Sequence, residues 1–292
     1  MSRAYIDSSS VAQAYDNWTN DALLERLWGE HIHLGHYGEP PQARDFRRAK
    51  SDFVHALVQW SGLDKLPPGS RLLDVGCGIG GSARILAADY GFDVLGISIS
   101  PAQIARAQAL TPQDLAPRCR FAVMDALELQ LDDHCFDAVW SVEACPHMAD
   151  KQRYADELLR VLKPKGQLAV ADWNRRDAAV APMGRRERWV MRQLLDNWAH
   201  PEFASIESLQ ANLQTSVWGQ GIVVETGDWS RATLPSWMDS IVEGMRRPGT
   251  MLALGPRGVL LGLKEIPTIL LMHWAFATGL MRFGVFRGQK PG

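Results

Sequence analysis

The sequence predicts an α/β protein built on a mostly parallel, doubly wound sheet. Three observations carry that expectation. Between residues 70 and 175, short apolar runs alternate with amphipathic helical stretches. The first apolar run ends in an acid and enters a glycine-rich turn, Leu72-Leu73-Asp74-Val75-Gly76-Cys77-Gly78-Ile79-Gly80-Gly81, followed by a helical pattern. Outside this stretch the alternation stops, so the sheet core is flanked by helical additions.

The elements follow in order. Val11 to Trp28 carries Val11, Tyr15, Trp18, Leu23, Leu24 and Leu27 at helical spacing. Gly29-Glu30-His31-Ile32-His33-Leu34-Gly35-His36-Tyr37-Gly38 breaks that pattern, and Ala43 to Trp60 resumes it until Gly62 and Pro67-Pro68 close the helix. Residues 72–75 form the first strand, and a helix starts at Ser82. Strands are expected over Phe92 to Ser100, Phe121 to Ala126 and Phe136 to Ser141. Leu158 to Leu168 reads as a helix, a tight turn and a fifth strand. Helices are expected over Glu187 to Trp198, Ser205 to Leu213 and Trp237 to Met245, with strands at Gly221 to Thr226 and Met281 to Phe286. The expected organisation is a helical lid over 1–68, a core over 69–176, and cap helices with the last strands over 177–292. Insertions around 177–203 and 231–279 would cap the carboxyl ends of the strands, where such sheets bind ligands.

Composition narrows the function. The chain has 292 residues, is 46% hydrophobic and 22% charged, and carries a net charge of −2, which gives no electrostatic case for nucleic acid. The four cysteines, at 77, 119, 135 and 145, have no metal or redox spacing, so free thiols in a reducing compartment are expected. Residues 1–10 are polar and do not resemble a secretory signal. Eleven tryptophans suit large apolar pockets and membrane interfaces, although most are expected simply to pack the core.

Glycines at the first turn let backbone N–H groups approach a ligand, and the helix N-terminus behind them adds partial positive charge. A nucleotide-like cofactor is therefore expected. Gly76, Gly78 and Gly81 satisfy the dinucleotide pattern, but Asp74 precedes the first glycine by two residues, where it would repel a pyrophosphate. An acid there suits a cationic ammonium, such as the methionine end of S-adenosylmethionine. Asp125 ends the third strand, placed to accept from an adenine amino group. The second strand ends without the acid that usually holds a ribose diol. Ser98, Ser100 and Gln103 are its nearest polar groups.

Three of the eight histidines fall in His31-Ile32-His33-Leu34-Gly35-His36-Tyr37. The segment is glycine-broken and transfer from a sulfonium needs no Lewis acid, so a lid is expected there rather than a metal site. His36 or Tyr37 would touch the methionine end of the cofactor. After the fourth strand, Glu143 and His147 would share a face if the segment is a helical turn. A histidine near its ordinary pKa accepts a phenolic proton at neutral pH, and the rate would then rise between about pH 6 and 7.5.

The ordered set from Asp74 to Leu168 resembles the class I S-adenosylmethionine-dependent methyltransferases, whose Rossmann-like sheet ends in an antiparallel strand. The absence of a ribose acid resembles the subgroup related to cyclopropane-fatty-acid synthases and tocopherol methyltransferases. Over essentially the whole chain, Trp28 to Gly38, Trp140-Ser141-Val142-Glu143-Ala144-Cys145-Pro146-His147-Met148, Ala171-Asp172-Trp173-Asn174 and Pro267 to Met272 look like the tocopherol methyltransferase family. The resemblance implies methylation of a ring carbon on a prenylated hydroquinone, with γ-tocopherol methylation as the nearest rival and a non-catalytic scaffold as the distant one. The acid–histidine pair beyond the fourth strand makes His147 the expected base, with Glu143 and His33 in reserve. Expected cofactor contacts are Asp74, Gly76, Gly78, Gly80, Ser98, Ile99, Gln103, Asp125, Ala126, Ser141, His36 and Tyr37.

Ile266 to Met281 has no Asp, Glu, Lys or Arg before Met281 but falls short of the roughly 20 residues of a membrane span. Pro267 and Gly279 limit how much of it can be one regular helix. A lipophilic acceptor favours peripheral contact with a membrane, helped by Arg175, Arg176, Arg185, Arg186, Arg188 and Arg192.

Overall fold

The computed structural model describes residues 7–20, 22–198, 200–247, 249–250 and 255–292. The side chains of Trp18, Leu23 and Leu24, expected on the first helical face, lie outside the described residues, as does the polar start at 1–6.

Seven strands form one sheet: β1 (Arg71–Val75), β2 (Asp93–Ser98), β3 (Cys119–Val123), β4 (Phe136–Val142), β5 (Leu162–Arg175), β6 (Val224–Asp228) and β7 (Met281–Gln289). Their order is β3-β2-β1-β4-β5-β7-β6. The first five pair in parallel, and β7 runs antiparallel between β5 and β6. Successive side chains alternate between two apolar layers, as a sheet covered on both faces requires. Leu72, Ala138, Trp140, Ala169 and Ala171 enter one layer, while Leu73, Val75, Val139, Leu168 and Val170 enter the other.

On the N-terminal side, the expected first helix is two pieces, α1 (Ser8–Asn20) and α2 (Leu23–Trp28), followed by α3 (Phe46–Ser61). The Asp45 side chain caps α3 by accepting from the Arg47 and Arg48 N–H groups, and Gly62 ends it at φ 78°. The core adds α4 (Gly81–Asp89), α5 (Pro101–Leu110) and α6 (Lys151–Val161). Next come α7 (Arg185–Asn197), α8 (Ile206–Thr215), α9 (Ser230–Thr233), α10 (Pro235–Arg246) and α11 (Gly255–Ala277).

Three local expectations change. β3 stops at Val123, two residues before Asp125, so the acid stands on the following turn. The tight turn between α6 and the fifth strand is a bulge within β5, with Lys165 at φ 65° and the register shifting between Phe136 and Ala138. Pro267 does not interrupt its helix. α11 runs through it to Ala277, and the carbonyl left without a donor belongs to exposed Leu263, where water can replace the missing N–H. Among the described residues no helix is long and apolar enough to cross a membrane.

Candidate active site

Gly76, Gly78 and Gly80 adopt φ of 79°, 54° and 84°, which side chains rarely do. Close approach adds to this, because a Cβ on Gly76 would lie 2.6 Å from that of Ala144, and one on Gly80 would lie 2.6 Å from the Phe121 ring. The Gly76 and Cys77 N–H groups both donate to the Ile97 carbonyl, pinning the turn to the end of β2. α4 starts immediately after, with Gly80 at its N-cap and no capping side chain, which leaves an anion-friendly helix end beside the turn.

Asp74 is 2% exposed, and its Oδ2 has no partner among the described residues. Burial pushes the carboxyl up to about 7. A cationic ammonium would relieve that burden. The glycine cradle and this orphaned acid together fit S-adenosylmethionine.

The other expected cofactor contacts are placed as follows. Ser98 ends β2 and donates to Gln103 Oε1 at 2.7 Å, while Ser100 caps α5 by accepting from the Gln103 N–H. Ile99, between them, is half-buried. Beside the end of β2, Asp16 of α1 accepts from the Ser100 hydroxyl. Asp125 Oδ1 accepts from the Leu127 N–H at 2.8 Å, and Ala126 is buried. Ser141 donates to the Val75 carbonyl and accepts from the Tyr154 hydroxyl, tying β4 to β1 and α6.

Residues 29–38 form a strap across the turn. Glu30 accepts from Arg84 of α4, the Gly35 N–H donates to Ser236 Oγ, and the Leu34 N–H donates to Glu143 Oε1 at 2.7 Å. His33 Nδ1 bonds the Leu34 carbonyl, so this nitrogen carries the proton and Nε2 accepts, with Ser82 Oγ at 3.3 Å and His31 Nδ1 at 3.1 Å. Burial holds the His33 imidazole down to about 3. Of the two strap residues expected at the methionine end of the cofactor, Tyr37 donates to Asp239 of α10, and the His36 ring packs edge-on against Trp229. His31 and His33 are the histidines against the turn.

Beyond β4, the helical turn pairing Glu143 with His147 does not form. Glu143 takes φ 54° and bonds the strap, whereas His147 closes a short 3-10 turn and shares a 2.7 Å hydrogen bond through Nε2 with the Tyr15 hydroxyl of α1. Burial raises the Glu143 carboxyl to about 8, against the Leu34 N–H and Lys50, which favour its charged form. Burial, reinforced by Lys151, holds His147 down to about 3, below the range in which an ordinary histidine titrates. Lys50 of α3 is buried beside this region, donates to the His31 carbonyl and lies over the Trp28 and Phe46 rings. Burial brings it down to about 7.

A cluster of aromatic rings, the aromatic chamber, adjoins His147. The His200 ring packs 4.4 Å from it, centroid to centroid, and Trp173, Trp198, Phe203, Trp237 and Phe276 continue the cluster. His147 Nδ1, both nitrogens of His200 and the Trp237 indole nitrogen are buried without partners among the described residues, while the Trp173 indole faces the Glu143 carboxyl. Buried polar atoms are normally bonded, so a group of them within one aromatic cluster marks it as the candidate place for a polar-edged aromatic ligand. Among the described residues no group of three or more His, Cys, Asp or Glu side chains could hold a metal ion.

Four of these residues escaped sequence reasoning. Lys50 left a signal, since it shares the apolar stripe of Phe46, Phe53, Val54 and Leu57. Tyr15 stands out only as one apolar position of the helical pattern over 11–28, Asp16 carries no signal of its own, and His200 stands in a linker with no periodicity.

The sheet order, the turn after β1 and the orphaned acid beside it define a class I S-adenosylmethionine-dependent methyltransferase. Residues 73–170 match the family model described as a methyltransferase domain. The chain is 57% identical over 288 residues to the 2-methyl-6-phytyl-1,4-hydroquinone methyltransferase of Synechocystis sp., covering 99% of this chain and 90% of that protein. It is 29% identical to the chloroplastic tocopherol O-methyltransferase of Arabidopsis thaliana, covering 96% and 82%. In fold it is similar to the geranyl diphosphate C-methyltransferase of Streptomyces coelicolor, with a TM-score of 0.74, 18% identity and 97% of each chain covered. The chain belongs to the tocopherol methyltransferase family.

Proposed function

We propose that this chain methylates a ring carbon of a prenylated 1,4-hydroquinone, 2-methyl-6-phytyl-1,4-hydroquinone or its solanesyl analogue, on the route to tocopherol and plastoquinone. The observation that carries this reading is the 57% identity, over nearly the full length, to a methyltransferase named for that acceptor. The aromatic chamber with its unbonded polar atoms supports it independently. The lower identity, 29%, to a tocopherol O-methyltransferase makes γ-tocopherol the weaker acceptor reading.

When bound, S-adenosylmethionine supplies a methyl group already activated on a sulfonium. The residues that would hold it are Asp74 at its ammonium, Gly76, Gly78 and Gly80 along the turn, Ser98, Ile99 and Gln103 at the end of β2, and Asp125 with Ala126 beyond β3. Ser141 would act from behind, by fixing β4 against β1. What remains for the chain is alignment and proton removal. Taking the proton from the hydroxyl beside the reacting carbon raises that carbon's electron density; once the methyl group is bonded to it, the hydrogen on the same carbon leaves as a proton and the ring regains its aromaticity. Glu143, raised to about 8, has a basicity close to working pH and is the better matched proton acceptor. His147 is a weak base at about 3 and serves the same hydroxyl as a neutral hydrogen-bonding partner. His33 is a lesser candidate because its accepting nitrogen already has Ser82 and His31 as neighbours.

We also propose peripheral contact with a membrane, because the acceptor's tail belongs in lipid. Labelled methyl transfer into 2-methyl-6-phytyl-1,4-hydroquinone, its solanesyl analogue and γ-tocopherol tests the main reading. Label should enter the hydroquinones. Label entering γ-tocopherol alone overturns the proposal.

A further inference from the structure

We propose that His200 binds the second hydroxyl of the acceptor, para to the one beside the reacting carbon, and so selects a free hydroquinone over a phenol whose second oxygen is an ether. The inference rests on the acceptor class proposed above.

His200 is 3% exposed, yet neither ring nitrogen has a hydrogen-bond partner among the described residues. The Pro146 carbonyl lies near the ring but outside hydrogen-bonding geometry. Leaving such a group unbonded is unfavourable, and an apolar residue of similar shape would avoid the loss. The His200 N–H donates to the Leu195 carbonyl, and the Trp198 indole donates to Glu265 of α11 at 2.9 Å. The His200 ring lies tilted by 35° against His147 and edge-on to Trp173.

Burial holds the His200 imidazole well below its ordinary range, with His147 and Lys151 acting in the same direction, so it is neutral. A neutral imidazole offers one donor and one acceptor. His147 already shares one nitrogen with Tyr15, whereas neither His200 nitrogen is bonded. The Pro146 carbonyl can only accept, so the His200 nitrogen nearest it carries the proton and the other is an acceptor. A hydroxyl can donate to that acceptor, whereas an ether oxygen has no proton to give and leaves it unbonded. Sites built around a substrate hydroxyl discriminate strongly against analogues that lack it. One lost hydrogen bond worth about 1.4 kcal/mol corresponds to tenfold.

Tryptophans 173, 198 and 237 line the chamber, so ligand binding is readable as a change in intrinsic fluorescence without turnover. Protein saturated with S-adenosylhomocysteine is titrated, under reducing conditions, with 2-methyl-6-phytyl-1,4-hydroquinone and with its monomethyl ether at the second oxygen. The wild type should bind the hydroquinone at least about tenfold tighter than the ether. His200→Phe should lose that preference by weakening the hydroquinone alone, and His200→Gln, which keeps a donor and an acceptor, should retain part of it. S-adenosylhomocysteine affinity should be unchanged in both variants, and without acceptor the Tm of His200→Phe should be no lower than that of the wild type. A His200→Phe protein with the wild-type preference overturns the proposal. So does a wild type with no preference, a result that needs no variant to fold. A wild type that binds neither compound overturns the acceptor class itself, and is thereby distinguished from a failure of His200 alone.

Discussion

Asp74 is the residue on which cofactor chemistry turns. Burial raises its carboxyl from 3.8 to about 7 in the folded chain. The folded state then holds the proton more tightly than the unfolded state, so the group's destabilising effect is absent at low pH and grows as pH rises from 3.8 to about 7. Asp74→Asn removes that effect. Without cofactor, its Tm should gain on the wild type between pH 5 and 7.5. The same variant should bind S-adenosylmethionine at least about tenfold more weakly by calorimetry, because a buried charge-assisted contact is lost. Equal cofactor affinity would remove Asp74 from the ammonium site. Glu143 carries the second prediction. Its carboxyl, raised to about 8, is mostly protonated at neutral pH, so kcat should rise as pH climbs through about 8. Glu143→Gln should abolish that limb and lower kcat by about 10²-fold or more. His147→Ala should lower kcat but leave the limb in place, since His147 stays neutral from about pH 3 upward. A limb between pH 6 and 7.5 that vanishes with His147 would reverse the two assignments.

At the scale of elements, the strap over 29–38 couples the cofactor turn to the acceptor side. It is bonded to α3, α4, α10 and the end of β4 at once. Gly81 is the position at which it touches α4 most closely, for a Cβ there would lie 2.5 Å from the Glu30 carbonyl oxygen. Gly81 has no positive φ, so an alanine is acceptable to the helix itself and acts only by lifting the strap. Gly81→Ala should speed hydrogen exchange at the Leu34, Gly35 and His36 amides, which bond Glu143, Ser236 and Ala49. Unchanged exchange there would mean that the strap is held independently of the turn. This coupling also shows what the sequence could and could not reveal. The strands, the glycine turn and α3 were legible because local periodicity and capping determine them. The strap's partners were not, since Leu34 and Glu143 lie 109 positions apart and Gly35 and Ser236 lie 201 apart. Tyr15 meets His147 across 132 positions, and no local pattern foretells it. Pro267 misled for a related reason: its helix survives because packing against α7 and α10 outweighs one missing hydrogen bond.

At the scale of the whole molecule, the question is how a protein with no membrane-crossing helix among its described residues reaches an acceptor dissolved in lipid. α7, α10 and α11 pack as one layer, and that layer leaves Trp189, Met245, Leu260, Leu263 and Leu270 exposed. The arginines expected to meet head groups are largely occupied. Arg175 lies 3.8 Å from Glu202, Arg176 pairs with Glu187, Arg186 covers Trp274, and Arg188 bonds the Met183 carbonyl. Attraction to anionic lipid should therefore be modest, and insertion of apolar side chains should dominate. Each fully buried leucine contributes about 1.5–3 kcal/mol, enough for two or three to hold the protein reversibly at a surface. In flotation assays the chain should rise with both neutral and anionic vesicles, with less than about tenfold loss of binding between low and physiological salt. Leu260→Glu combined with Leu263→Glu should abolish flotation while leaving S-adenosylhomocysteine binding and Tm intact, because both side chains are exposed and far from the cofactor turn in sequence. Failure of the wild type to float with either vesicle at low salt would mean that this layer faces water or protein, and that the acceptor is delivered to the chamber by another carrier.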